Sequence, residues 1–367
     1  MKRVLSIVLV ATVVFSVTAC KNSRSGGGSA STTQGGEIVL MVSAAGTLDD
    51  RSFNEACYNA MKQFCVENDM TYSYYQPTED TAEAQIILFD TAVKAGARFF
   101  VIGSDQYKVS ASMFAEKYPN IPAIIYDSVP VDEDGNEALS DNLLAVHFAE
   151  QQAGFLAGYA AVKEGRRKIG YMGGMAVPAV VRFGYGFVQG ADTAAVDLGL
   201  SNVEIMYNYS GNFEATPENQ ARAASWYQNG TEIIFVAAGP MGSSVFAAAE
   251  QNRGLVIGVD SDQYAESETI ITSAIKDLRN ITYNTLNDWK AGKFKGNAIV
   301  TYTAREGGVG LAWEHARFKS FSRLEYDDIY KRLAENTSGL SDALADDTMY
   351  DDPAGIPLKA AKLTYIP

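Results

Sequence analysis

The side chains best placed to do chemistry in this sequence stand just past short apolar runs. Asp127-Ser128 follows PAIIY and Asp260-Ser261 follows VIGV, while Ala44-Ala45-Gly46, Gly173-Gly174 and Ala238-Gly239 end three further runs. Small residues let a backbone approach a ligand closely, and the two aspartates are hydrogen-bond acceptors. A small polar molecule rich in donors suits such a set. Bond breaking has less to build on. His147 and His315 are the two histidines and lie far apart, so a zinc site or a Ser-His-Asp triad lacks material. No catalytic residue, metal or cofactor is expected. Cys57 and Cys65 sit eight apart in one helical segment, about 12 Å of rise against the roughly 7 Å a disulfide spans. They read as free buried thiols. The Gly pair in YMGGMAVP is followed by no GK[ST], so it reads as a cleft-lining turn and not a phosphate cradle.

The elements that must position these residues alternate regularly. Runs 37–44, 71–77, 97–104 and 122–128 read as strands, with helices at 52–69, 81–95 and 106–117. Ser52-x-x-Glu55 has the spacing of a capping box at the first helix. After Gln151 the pattern restarts: strands at 168–174, 203–211, 231–239, 254–261 and 270–276, and helices at 151–164, 179–198, 217–230 and 243–253. Continuous apolar strands separated by helices predict parallel sheets covered on both faces. GSDQ at 103–106 echoes DSDQ at 260–263, a faint sign of a duplicated plan. Two doubly wound α/β units with a cleft between them follow, and ligands in open α/β sheets sit at the carboxyl ends of strands. Beyond residue 310, LEYDDIYKRLAEN reads as an amphipathic helix and DDTMYDDPAGIP as an acidic loop.

The first 36 residues are not part of this body. Lys2-Arg3, the apolar run Leu5–Val17 and the sequence Val17-Thr18-Ala19-Cys20 fit a lipoprotein signal peptide (1–19), cut before Cys20, whose sulfur would carry lipid. Residues 20–36 are rich in Gly, Ser and Thr and form a flexible tether. The expected location is therefore the extracytoplasmic face of a cell membrane, lipid-anchored. A net charge of -14 provides no basic footprint for nucleic acid, and the lipid, not surface charge, would hold the protein at the membrane. About 330 residues follow the tether, enough for two lobes.

At this point the sequence resembles the basic membrane protein family, the PnrA-like purine-nucleoside-binding lipoproteins of ABC importers with a type I periplasmic-binding fold. The matching stretches are LDDRSFNEACYNAM (48–61), PAIIYDSV (122–129), residues 151–191, EIIFVAAGPMGSSVFAAA (232–249), VIGVDSDQ (256–263) and TSAIK (272–276). The resemblance implies that Phe53 and Phe213 stack on the two faces of a base, and that Asn54 hydrogen-bonds it. It also implies that Asp127, Gly239, Asp260 and Lys276 form a ribose-side set. The chemistry is coherent: base–aromatic stacks are worth about 1–3 kcal/mol each, and ribose hydroxyls suit carboxylate acceptors. The implied partners are a nucleoside of the adenosine, guanosine or inosine class and a transporter permease, with the binding protein a monomer. The lobes would be 37–146 plus about 277–312, and 147–276 plus about 313–367.

One position departs from the family pattern. Many members carry an Asp nine residues before the first stacking Phe, where this chain has Ala44. Ser43 or Asp49 would have to compensate, and the preferred base is left open. Three functional classes remain distinguishable: a binding protein feeding an importer, a lipoprotein sensor of the same fold, and a nucleoside hydrolase. The last would need a metal cluster that LDD at 48–50 supplies poorly.

Overall fold

The apolar runs become strands because helices wall both of their faces. The structure, a computed structural model, describes residues 36–366; the signal peptide, Cys20 and nearly all of the tether lie outside the described residues. In chain order the elements are β1 (Ile38–Met41), α1 (Phe53–Glu67), β2 (Tyr72–Tyr75), α2 (Ala82–Lys94), β3 (Phe99–Ile102), α3 (Lys108–Lys117), β4 (Ala123–Tyr126) and β5 (Leu143–Phe148). They continue with α4 (Glu150–Lys163), β6 (Lys168–Gly173), α5 (Pro178–Asp197), β7 (Val203–Tyr209), α6 (Pro217–Gln228), β8 (Ile233–Ala237), α7 (Gly242–Asn252), β9 (Leu255–Asp260) and β10 (Ile270–Lys276). The last are α8 (Leu278–Lys290), β11 (Ala298–Tyr302), β12 (Val309–Leu311), α9 (Arg323–Ala334) and β13 (Ala361–Ile366). Every residue of β1, β3, β4 and β8 is buried, as doubly covered strands require.

Two sheets result. The first has the order β11-β5-β4-β3-β1-β2 and is parallel throughout. The second has the order β12-β10-β9-β8-β6-β7-β13, parallel except that β12 runs against β10. This is the architecture of two doubly wound α/β lobes that the alternating pattern predicts. The chain passes between the sheets three times: from β5 into α4, from β10 into α8, which packs on α1, and from β11 to β12. After the third passage Val309 is paired with Lys276 in the second sheet.

The helices α4 and α5 touch backbone to backbone. A Cβ at Gly154 or Gly158 would stand 2.0 Å from the carbonyl oxygen of Phe183 or Phe187, and one at Gly186 would stand 2.0 Å from that of Gln151. Only glycine permits that approach. The close contact is what lets Glu150, at the start of α4, reach Arg182 in the first turns of α5.

Some local expectations change. Ser52 caps no amide of α1 with its side chain. The Asp50 carboxylate does so instead, Oδ1 accepting from the amides of Ser52 (2.9 Å) and Glu55 (3.1 Å) and Oδ2 from that of Asn54 (2.9 Å). A reciprocal capping box does occur, at Ser322 and Glu325 of α9. The strand β5, absent from the sequence reading, continues the first sheet beside β4. Cys57 and Cys65 are free and buried, and burial pushes the Cys65 thiol up to about 12.

Candidate ligand-binding cleft

The carboxyl ends of the strands in the two sheets face each other across a cavity of about 130 Å³. Phe53, Asn54, Asp127, Phe213, Gly239, Asp260 and Lys276 all border it. Asp49 does not: it is exposed, and its neighbour Asp50 is buried and lines the cavity. Three strand ends turn inward through left-handed backbone, at Asp127 (φ 59°), Gly239 (φ 50°) and Asp260 (φ 62°). Asp accepts this conformation better than most residues. The strain at Asp127 and Asp260 is held at the place where their carboxylates meet the cavity, as is common at binding sites.

Lys276, the last residue of β10, is the electrostatic hub. Its Nζ donates to Asp127 Oδ2 at 2.6 Å and lies 3.4 Å from Glu150 Oε1 and 3.6 Å from Asp260 Oδ1. It also stands 4.9 Å from the centre of the Phe53 ring, within cation–π range. Burial pulls its ammonium down, but the charges of Asp127, Asp260 and Glu150 outweigh that and carry it above its ordinary value. Asp127 Oδ1 is buried beside the cavity with no hydrogen-bond partner. A buried acceptor left open is costly unless something donates to it.

Glu150 and Arg182 were not singled out from the sequence. Glu150 is completely buried and accepts from Arg182 Nε at 2.6 Å, and Arg182 Nη1 continues to Asp347 at 2.8 Å. Burial raises the Glu150 carboxyl above its ordinary value, against the pull of Arg182 and Lys276. Glu150 opens the helix EQQAGFLAGYAAV (150–162), small or apolar after its first turn, and Arg182 lies in the small and apolar run PAVVRFGYGF (178–187), where a charge must find a partner. That mismatch was the available signal.

The two aromatic walls are set differently. Phe53 opens α1 and meets Tyr126 edge-on, with ring centres 5.8 Å apart. Phe213 comes from the loop after β7. Its carbonyl accepts from the Met241 amide at 3.0 Å, and its ring lies directly over Gly174. Ser43, Ala45 and Gly46 border the cavity, and Ala44 does not. Their loop is held by Gln76, whose Nε2 donates to the carbonyls of Ser43 (3.0 Å) and Gly46 (2.6 Å), and by Asp80, which accepts from the Ala44 amide at 2.8 Å.

The start of α1 also clasps the opposite lobe. Ser52 Oγ donates to Asp260 Oδ2 at 2.6 Å, Ser261 Oγ to the Ser52 carbonyl at 3.2 Å, and Gln263 Nε2 to the Arg51 carbonyl at 3.1 Å. Arg51 pairs with Glu266 at 3.0 Å on the outside. Asp50, buried behind this clasp and near Asp260, is raised from its ordinary 3.8 to about 6, chiefly by burial. A larger groove of about 720 Å³ also borders Lys276 and Asp260. Two of its three arginines are paired with carboxylates, Arg51 with Glu266 and Arg323 with Asp327 at 2.7 Å, and Arg279 donates to Gln63 at 2.8 Å. The smaller cavity is the candidate ligand site because Phe53, Phe213 and Asp127 border it and not the groove.

Among the described residues, no group of three or more His, Cys, Asp or Glu side chains is placed to hold a metal, and no helix is long and apolar enough to cross a membrane. Comparison with known proteins gives a consistent answer. The chain is 27% identical to the ABC transporter nucleoside-binding protein BmpA of Lactococcus lactis, over 86% of this chain and 92% of the relative. It is 31% identical to basic membrane protein A of Borreliella burgdorferi, over 85% and 87%. Among solved structures, an ABC transporter solute-binding protein of Aeropyrum pernix superposes with a TM-score of 0.68 at 21% identity, over 82% of this chain and 86% of that one. A transcriptional activator of the comK gene from Bacillus halodurans superposes at 0.63 and 16% identity, over 83% and 99%, so the fold by itself does not separate transport from regulation. The Lactococcus relative is named for nucleoside binding. Residues 37–343 match the family described as ABC transporter substrate-binding protein PnrA-like, and the chain belongs to that family.

Proposed function

We propose that this protein captures a purine nucleoside and delivers it to an ABC importer, as a monomer held by lipid on Cys20 at the extracytoplasmic face of the cell membrane. The observation that carries the reading is the open acceptor of Asp127, buried next to Lys276 in a cleft that Phe53 and Phe213 border from opposite lobes. A flat base between the rings and a sugar hydroxyl donating to Asp127 Oδ1 would satisfy the site. The nucleoside-binding name of the Lactococcus relative supports the same class. The wall carries the carboxylates of Asp50, Asp105, Asp127 and Asp260 against the ammonium of Lys276, which disfavours a phosphate.

Calorimetric titration of the soluble body with adenosine, guanosine, inosine and their 5′-monophosphates tests this. At least one nucleoside should bind, with its monophosphate at least about 100-fold weaker. The nucleoside should be recovered intact after incubation, and cellular nucleoside uptake should depend on the protein. Sugar or amino-acid binding in place of nucleoside would sink the reading. Loss of the protein without loss of uptake would favour a sensor.

A further inference from the structure

We propose that Glu150, which does not border the cavity, is a positioning residue for the ligand: it fixes the Lys276 ammonium and through it the open oxygen of Asp127. The inference deepens the nucleoside reading and rests on it. Glu150 and Lys276 stand at two of the three passages between the sheets, Glu150 where the chain leaves β5 and Lys276 where it leaves β10. Their side chains meet between the lobes. Glu150 Oε2 is committed to Arg182 at 2.6 Å, which leaves Oε1 facing Lys276 at 3.4 Å. Arg182 is in turn tied to Asp347 at 2.8 Å.

A lysine reaches its target on a flexible four-carbon stem. With only Asp127 and Asp260 before it, the ammonium could slide into the cavity or bridge both oxygens of Asp127. A third carboxylate behind it, itself held by a guanidinium, sets its depth. The consequence is visible at Asp127: Oδ2 receives Lys276 at 2.6 Å and Oδ1 is left without a partner in the protein. The same placement keeps the ammonium 4.9 Å from the Phe53 ring that would carry one face of the base. Stability alone is a poor account of Glu150, because buried ion pairs are often replaceable by apolar residues without loss. A charge with no exposure and no border on the cavity has its best use in orienting the one that does.

The test is a double-mutant cycle on ligand affinity. Glu150→Gln, Lys276→Met and the double variant are titrated with adenosine, guanosine and inosine. Glu150→Gln should weaken binding at least about tenfold. In the Lys276→Met background the same change should cost no more than about twofold, because there is no ammonium left to position. Glu150→Asp, which keeps the charge, should recover part of the loss. Should Glu150→Gln fail to fold, Glu150→Asp takes its place in the cycle with a smaller expected loss, about threefold, and the same non-additivity. Additive losses, or a Glu150→Gln protein within about twofold of wild type, overturn the inference while leaving the nucleoside reading intact. If wild type binds none of the three nucleosides, the nucleoside reading fails. The thermal unfolding cycle of the same proteins without ligand then decides whether Glu150 and Lys276 are coupled, and additivity there overturns the inference as well.

Discussion

A methyl group at position 174 would occupy the place of the Phe213 ring. A Cβ built on Gly174 stands 2.3 Å from both Cδ1 and Cε1 of Phe213 and 3.1 Å from the Asn212 carbonyl oxygen. Carbon atoms rest about 3.5–4.0 Å apart, so Gly174→Ala must drive the ring back by at least about 1 Å. Gly174 is not among the positive-φ glycines, so alanine itself suits the backbone there. The cost should therefore fall on the ring. Losing one base stack is worth about 1–3 kcal/mol, which is about 5- to 150-fold in Kd. Calorimetry with the tightest-binding nucleoside should show that loss in Gly174→Ala and a similar one in Phe213→Ala, with little further loss in the double variant. The thermal midpoint should drop by no more than about 4 °C. If both single variants bind within about twofold of wild type, Phe213 is not a wall for the ligand and the clamp reasoning is wrong.

Two further expectations concern the clasp at the start of α1. Ser52→Ala removes the 2.6 Å bond to Asp260 and should weaken nucleoside binding about tenfold by destabilising the closed lobes, whereas unchanged affinity in titration would show that the clasp does not assist closure. The folded-state carboxyl of Asp50 lies at about 6 against an ordinary 3.8, so the folded form binds the proton more tightly than the unfolded one. Its contribution is fully present below about pH 4 and is lost as pH rises through 6, a swing of about 3 kcal/mol at most. Unfolding measured between pH 4 and 7.5 should show the stability of wild type relative to Asp50→Asn declining across that window; a constant difference would contradict the assignment.

Much of the cleft was legible because strand ends are punctuated so clearly. Asp127, Gly239 and Asp260 each follow a continuous apolar run, and such runs in a parallel sheet must end where ligands bind. Phe53, Asn54, Phe213 and Lys276 came from resemblance instead, although the polar neighbours of Phe53 and the polar loop around Phe213 already spoke against core for both rings. What was missed depends on tertiary partners. Glu150 and Arg182 meet only because four glycines bring α4 and α5 into backbone contact, and no spacing rule joins residues 32 apart. At α1, Ser52-x-x-Glu55 had the pattern of a cap, but Asp50 reached the same amides first and freed Ser52 for Asp260. The strand β5, LLAVHF, follows β4 with no α-helix between them, so the strand–helix alternation did not announce it, and its other partner β11 arrives more than 140 residues later.

That distance between β5 and β11 has a consequence for how the chain is made. Synthesis delivers Leu143–Phe148 long before Ala298–Tyr302, and in the interval β5 is the open edge of an all-parallel sheet. An apolar edge without its neighbour is the kind of surface on which chains stick to one another. The first lobe cannot complete its sheet until most of the second has been synthesised. The unfinished chain is thus kept from settling early into a finished half, and its exposed edge is the place where a helper that shields nascent protein would have most to cover.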